Sequence, residues 1–507
     1  MLIEYFDNIK KTTSDSIIKE WIENNTEIIY YANRLMGQVR QIGTHAGGIV
    51  ITPTPIWEHI PVTRAAKEIV SAFRESDGSG KDLSDLGLLK LDILGLSSLS
   101  IIQNCINEIK EKENIDVSDD LLYLDFENKE VLRNLENNNL YSIFQLDGGA
   151  KRLVDDIKPN SFEDICSISA LNRPGPLETF GDKFGDWKRK YVSNNKEDLY
   201  DDPLYPRLEF MRKILDSTYG ILLYQEQFMF MVQEACGLNL GECDNFRRCI
   251  AWKKDHPKYY QVEKYFKILE DGMINKGYGL EDVKYFIEYC QKFLGYSFNK
   301  SHCVSYSYVS WQMLWLKTNY PAYYYASLFK FESQEKYTEL INDMAKNGIE
   351  LLPPTINKSE WEFRALDKNK VVMGFNVIKS FGDKAYEELL NNKNKLEELK
   401  DFLSIDFSKI NKSGFEALLN TGCFDCFNID RDEIKKLKEL LNDGKIETWF
   451  TRKKNSLELK HRPESLKSLD DNMLLKLLFK YKSKSIESKP WIDFIFEIKD
   501  FLEIEKN

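Results

Sequence analysis

Apolar positions along this chain keep two different periods. Toward the N-terminus, Ile28, Ile29, Ala32, Leu35 and Met36 form a stripe at helical spacing and Gly37 is a natural stop, so residues 1–37 read as helix. Gly43-Thr44-His45-Ala46-Gly47-Gly48 then opens into Ile49-Val50-Ile51-Thr52, a glycine turn leading into a β-branched strand. Residues 53–87 read as loop-rich, with a turn at 76–80, and Leu88 to Leu94 gives a second strand. From about 97 to 345 the pattern is mostly helical and aromatic. Leu352-Pro353-Pro354 marks a boundary, a smaller mixed module runs to about 430, and residues 431–507 are charged with a helical pattern. No repeat of 20–50 residues is present.

Composition refines this picture only slightly. A chain of 507 residues has room for about three domains with real cores. With 42% hydrophobic and 30% charged residues it has the balance of an ordinary globular protein. No long apolar run or signal pattern appears, so we expect no membrane span, a cytoplasmic location and reduced thiols for the nine cysteines. The lone Cys423/Cys426 pair has no second pair nearby, and structural zinc is not expected. The net charge of −11 neither supports nor excludes nucleic acid, because phosphate binding depends on local positive grooves.

Four segments carry candidate chemistry. On a strand, Lys90 and Asp92 project on one side while Leu89, Leu91 and Ile93 project on the other, toward a core. Such a pair suits a metal-bound triphosphate, with Asp92 as Mg²⁺ ligand and Lys90 against phosphate; a solvated ion pair explains the same pattern. The amides of Gly47 and Gly48 suit close approach to phosphate, or simply a tight turn. Arg247, Arg248, Lys253 and Lys254 form a basic cluster that on a helix is split between faces, serving a triphosphate and a nucleic-acid backbone, or only solvent. Asn299-Lys300-Ser301-His302 follows a glycine loop and precedes an aromatic helix (Tyr306, Tyr308, Trp311, Trp315) whose stripe is more simply core than a stacking platform.

Together, eight blocks resemble one family in order and spacing. They are GTHAGGIVITP (43–53), GLLKLDILGL (87–96), SIFQLDGG (142–149), ALNRPGPL (170–177), TYGILLYQEQFM (218–229), LGECDNFRRCIAWKK (240–254), LGYSFNKSHCVSYSYVSWQ (294–312) and LLPPTIN (351–357). Across roughly residues 25 to 430 the chain is similar to the family C replicative DNA polymerases, the bacterial DNA polymerase III alpha subunits. The resemblance implies an α+β, mostly helical fold. Residues 1–37 would be the end of a thumb, 38–96 the C-terminal part of a nucleotidyltransferase-type palm, and 97–345 a large helical fingers domain. Residues 346–430 would form a helix-hairpin-helix duplex- and clamp-binding domain, followed by the charged region 431–507. It further implies template-directed nucleotidyl transfer with Mg²⁺, dNTPs and primer-template DNA. Asp92 matches a catalytic, metal-binding aspartate and Lys90 the lysine beside the triphosphate. Arg247 and Arg248 match the arginines gripping phosphates, Gly47 and Gly48 belong to the nucleotide site, and Asn299, Lys300, Ser301 and His302 line the nascent base pair. Val377 to Gly382 looks like the family's hairpin, with Ser380 where a glycine is usual; Lys379, Gly382 and, in a second hairpin-like stretch, Lys412 would hold DNA phosphate.

One element of the family pattern does not occur in these residues: the P-D-x-D-x-D-F strand that carries the other two metal-binding aspartates. Asp125, in Leu124-Asp125-Phe126, is a look-alike that falls in the fingers. Two Mg²⁺ ions about 3.5–4 Å apart need several carboxylates. The leading expectation is therefore a split polymerase in which a separate chain brings those aspartates, and the isolated chain is inactive. A non-catalytic DNA- or clamp-binding remnant is the alternative; it predicts decay at Asp92, Lys90, Arg247 and Arg248, all of which are present. A fragmentary gene product is a third reading. A sliding clamp is a further candidate partner, with Leu475 to Phe479 matching only the end of a clamp-binding peptide. Lys-, Asn- and Ile-rich usage suits an AT-rich genome such as a bacteriophage's.

Overall fold

A computed structural model describes residues 2–13, 15–36, 38, 44–65, 68–73, 75–76, 80–250, 252, 258–293, 298–392, 410, 412–427, 431, 450–453 and 456–459. The chain divides into two compact units, Met1–Leu96 and Ser97–Asn507.

The first unit opens with three short helices, Leu2–Thr12, Ser16–Asn24 and Thr26–Leu35, where the sequence reads as one helical segment. The break has a local cause. Asp15 accepts the N–H of Ile17 at 2.8 Å and caps the second helix, and Asn25 ends it. Only Ile22 and Ile29 of the second and third helices are buried, while Ile17, Trp21, Ile28, Tyr30 and Leu35 remain exposed.

Strands follow. β1 (Gly48–Ile51) is succeeded by β2 (Val62–Ala65), β3 (Glu68–Ser71), β4 (Glu75–Ser76), β5 (Gly80–Lys81) and β6 (Leu89–Asp92). β2 pairs with β3 and β4 with β5, so the stretch expected to be loop-rich contains two antiparallel hairpins. The β-branched Val62, Thr63, Ile69 and Val70 drive the first of them. β1 and β6 pair antiparallel across the intervening chain.

The second unit is mostly helical, giving an α+β chain dominated by helices. Its core runs from Ile101 through the buried rings of Phe184, Trp187, Phe228, Phe246, Phe286, Trp311, Tyr324 and Phe329. Two lysines enter this interior only because each is paired. Lys188 Nζ lies 2.7 Å from Asp164 Oδ2, and Lys317 Nζ lies 2.8 Å from Asp343 Oδ2. Strands β7 (Glu350–Leu352), β8 (Arg364–Asp367) and β9 (Lys370–Val372) form a sheet of order β7-β9-β8. Phe363, Ala365 and Val371 join the same core, with Phe363 stacked on Phe329 at 4.4 Å between centroids. β7 stops at Leu352 because Pro353 and Pro354 donate no N–H. Within 431–507, expected to be helical, the described Phe450–Lys453 and Ser456–Leu459 pair as an antiparallel hairpin, whereas Arg431 is helical. Leu475 to Phe479 lie outside the described residues.

Candidate active site

β6 is positioned by β1 in a register that pairs Gly48 with Asp92, Ile49 with Leu91, Val50 with Lys90 and Ile51 with Leu89. Alternation therefore collects Gly48, Val50, Lys90 and Asp92 on one face and Ile49, Ile51, Leu89 and Leu91 on the other. Lys90 Nζ stands 3.1 Å from Asp92 Oδ1 and 3.4 Å from Oδ2, so the two residues form an ion pair along one strand. The opposite face corrects the sequence reading. Leu89, Leu91 and Ile93 do not enter a core; with Ile49 and Ile51 they are 41–65% exposed. A two-stranded sheet has nothing of its own to lay over that face.

The glycines before β1 are needed for close approach. A Cβ on Gly47 would lie 2.4 Å from the Ile93 carbonyl oxygen, and one on Gly48 would lie 2.8 Å from Lys90 Cε and 3.1 Å from Asp92 Oδ1. Their amides, read as phosphate donors, both donate to His45 Nδ1, at 3.1 and 2.7 Å. That nitrogen also lies 3.9 Å from Asp92 Oδ1.

In the second unit, Arg247 and Arg248 occupy the last turn of the Leu240–Ile250 helix. Sequence reading passed over what holds them. Asp244 sits three and four residues earlier, so its carboxylate accepts from Arg247 Nε at 2.9 Å and lies 2.7 Å from Arg248 Nη2. Burial pushes the Asp244 carboxyl up, but the two guanidiniums outweigh it and keep its pKa below the ordinary value. Arg247 is mostly covered, with 22% of its side chain exposed, whereas Arg248 is 68% exposed. Lys253 and Lys254 lie outside the described residues.

The Asn299-to-His302 segment is the capped start of the Lys300–Asn319 helix. Asn299 Oδ1 accepts from the His302 N–H at 2.9 Å and from Ser301 Oγ at 2.6 Å. The Lys300 N–H donates to Glu226 Oε2 at 3.0 Å, and Lys300 Nζ lies 5.5 Å from the Tyr224 ring centre. The His302 ring stacks on Tyr306 at 4.2 Å and meets Phe298 edge-on at 5.0 Å. Tyr224, Glu226 and Phe298 are brought together only by folding: the Phe298 N–H donates to the Leu223 carbonyl at 2.8 Å and the Gln225 N–H to the Phe298 carbonyl at 2.9 Å. Further along the helix, Trp311 is buried against Phe126 and Phe162, as core.

Ser380 adopts φ 66°, the left-handed region that favours glycine, so the substituted position of the hairpin keeps glycine's geometry. Lys379 and Gly382 flank it, both exposed, immediately before the Asp383–Asn392 helix. Lys412 begins the Lys412–Asn420 helix. Asp125 closes a turn, accepting the Glu127 N–H at 2.9 Å, and belongs to the second unit.

These residues do not make a magnesium site by themselves. Among the described residues no group of three or more His, Cys, Asp or Glu is placed to hold a metal, and Asp92 is already paired with Lys90. Near-octahedral oxygen ligation needs more carboxylates than this.

Comparison with known proteins bears on all three regions. Residues 4–95 match the model of the bacterial DNA polymerase III alpha NTPase domain, 98–277 that of the bacterial DNA polymerase III alpha subunit finger domain, and 348–434 a helix-hairpin-helix motif. The DNA polymerase III subunit alpha of Campylobacter jejuni is 36% identical over 443 residues, 83% of this chain and 35% of the relative. That of Aquifex aeolicus is 34% identical over 445 residues, 86% of this chain and 36% of the relative. That of Escherichia coli K12 is 33% identical over 420 residues, 80% of this chain and 35% of the relative. The chain spans about a third of the length of the curated relatives it matches.

Proposed function

The chain belongs to the DNA polymerase III alpha family, and from that premise we propose that it supplies the nucleotide grip and duplex guide of a DNA-directed DNA polymerase. Asp92 serves as one of the metal-binding carboxylates and Lys90 faces the triphosphate. Arg247 and Arg248 grip phosphates, Asn299 to His302 line the nascent pair, and the hairpin around Lys379 and Gly382, with Lys412, holds the DNA backbone. The other palm carboxylates come from a separate chain. On this reading Mg²⁺ supplies charge stabilisation once the site is complete, and the present chain is inactive alone.

What supports the reading is the two-faced β1–β6 pair. One face carries Asp92 and Lys90, while the other leaves Ile49, Ile51, Leu89 and Leu91 without cover. Apolar sheet faces of this kind are buried in stable proteins, so a layer that brings further carboxylates would complete the sheet and the metal site together. Completing the ligand set would also compete for Asp92 and release Lys90 toward phosphate.

Primer extension tests this directly. The mixture of this chain with one carrying a P-D-x-D-x-D-F strand is expected to synthesise DNA, and each alone is not. Synthesis by this chain alone overturns the split arrangement. Synthesis by the mixture that survives Asp92→Ala removes the role given to that carboxylate.

A further inference from the structure

The ALNRPGPL segment has no role in the reading above, yet it places a cation beside the Asn299-to-His302 cap. Arg173 lies directly before the Pro174–Val192 helix, in extended backbone with Pro174 opening the first turn. Its guanidinium carbon sits 3.4 Å from the centre of the Phe298 ring. The Phe298 backbone is held in place, its N–H donating to the Leu223 carbonyl and its carbonyl accepting from the Gln225 N–H. Gln227 Oε1 in turn accepts the N–H groups of Leu223 and Tyr224 at 3.1 and 3.0 Å.

A guanidinium held over an aromatic face by cation–π attraction still carries five N–H donors, which remain available for an oxyanion. Arg247 and Arg248 have given some of these donors to Asp244. Arg173 has not: among the described residues no carboxylate forms an ion pair with it, and the Glu226 carboxylate at the same junction accepts from the Lys300 N–H. The Lys300 ammonium, over Tyr224, adds a second positive charge to the junction.

We propose that Arg173 is an additional phosphate-gripping residue, held on Phe298 and aided by Lys300, whose ligand is a phosphate of the incoming nucleotide or of the template strand. The proposal deepens the polymerase reading and rests on it for the choice of ligand.

The test is equilibrium binding by the full chain, read as fluorescence anisotropy in two separate titrations. One uses a fluorescein-labelled single-stranded oligodeoxynucleotide and the other a base-labelled deoxynucleoside triphosphate. Arg173→Ala is expected to weaken one of them about tenfold, and which one identifies the source of the phosphate. If it is the oligonucleotide, the salt dependence also loses about one phosphate contact. Arg173→Lys restores only part of the loss, because lysine keeps the charge without the planar fork, and Phe298→Leu causes a smaller loss in the same titration. The exposed Arg173 leaves the thermal midpoint unchanged. Wild-type affinity of Arg173→Ala for both probes overturns the proposal, as does a wild-type chain that binds neither. Both titrations read binding rather than synthesis, so a chain that binds through Arg173 but fails in primer extension even when mixed with the chain carrying the P-D-x-D-x-D-F strand sinks the polymerase reading alone.

Discussion

Lys90 Nζ and Asp92 Oδ1 stand 3.1 Å apart on the same face of one strand. The residue assigned to the triphosphate is thus the counter-ion of the residue assigned to the metal. Such a pair holds the charge of Asp92 in check until stronger cations compete for it. Asp92→Asn keeps the shape and removes that charge. In the assembled enzyme, DNA synthesis should fall by at least ~10²-fold, as for loss of one transition-state stabiliser. The thermal midpoint of the chain should move little, because Asp92 is half exposed and asparagine keeps an oxygen that can accept from Lys90. Synthesis at wild-type rate would remove Asp92 from the chemistry.

Asp244 separates the two arginines by burial. Arg247 is largely covered and Arg248 largely exposed, although both bind the same carboxylate. Arg247→Ala should therefore lower the thermal midpoint more than Arg248→Ala, while both raise the KM for dNTPs. Asp244→Ala should also raise that KM, since it leaves both charges in place but unaimed. Equal midpoints for the two arginine variants would contradict the difference in burial.

The open face of β1 and β6 can be tested without breaking the sheet. Ile49 and Leu91 are directly paired across the strands. Ile49→Lys combined with Leu91→Glu places opposite charges opposite one another, which the strand pair tolerates. The double variant should remain folded by circular dichroism and, on the split arrangement proposed above, fail to co-purify with a chain carrying the P-D-x-D-x-D-F strand. Undiminished co-purification would show that the face is not the contact.

Gly47 and Gly382 make a matched pair of controls. An added Cβ meets backbone 2.4 Å away at Gly47 and nothing within 4 Å at Gly382. Gly47→Ala should lower the thermal midpoint by several degrees, through loss of the β1–β6 register, whereas Gly382→Ala should leave it in place. Thermal denaturation of both variants checks this.

Glu108 makes stability depend on pH. Burial pushes its carboxyl from an ordinary 4.5 up to about 7, against the hydrogen bond from Asn104 and the charge of Lys330. The folded state therefore binds this proton more tightly than the unfolded state does. The resulting stability is fully present below about pH 4.5 and is lost as pH rises through about 7. Glu108→Gln has no such proton to lose. Its thermal midpoint relative to wild type should rise between pH 5 and pH 7 and level off above that window. A difference independent of pH would place the charge elsewhere.

Much of this protein was legible in its residues. Local periodicity gave the strand bearing Lys90 and Asp92 and the helical stretch bearing Arg247 and Arg248, because each depends on neighbours within a few positions; the cap at Asn299 emerged only in the fold. The order of the eight blocks pointed to the family. The hairpins at 62–81 were missed because their strands are only two to four residues long, too short for a period-two pattern to stand out. Asp244 was overlooked although its spacing to both arginines was in plain view.

What the sequence determined by itself was the chemistry available: one strand carboxylate, a lysine beside it and an arginine pair, within a mostly helical chain. Only the tertiary structure decided how those groups are engaged. It turned Leu89 and Leu91 outward, directed the Gly47 and Gly48 amides to His45, and laid Arg173 on Phe298. The physical reason is that a strand's alternation says which side chains share a face but not which face is covered. Likewise, a cation's ring or carboxylate partner can lie more than a hundred residues away, as Phe298 does from Arg173.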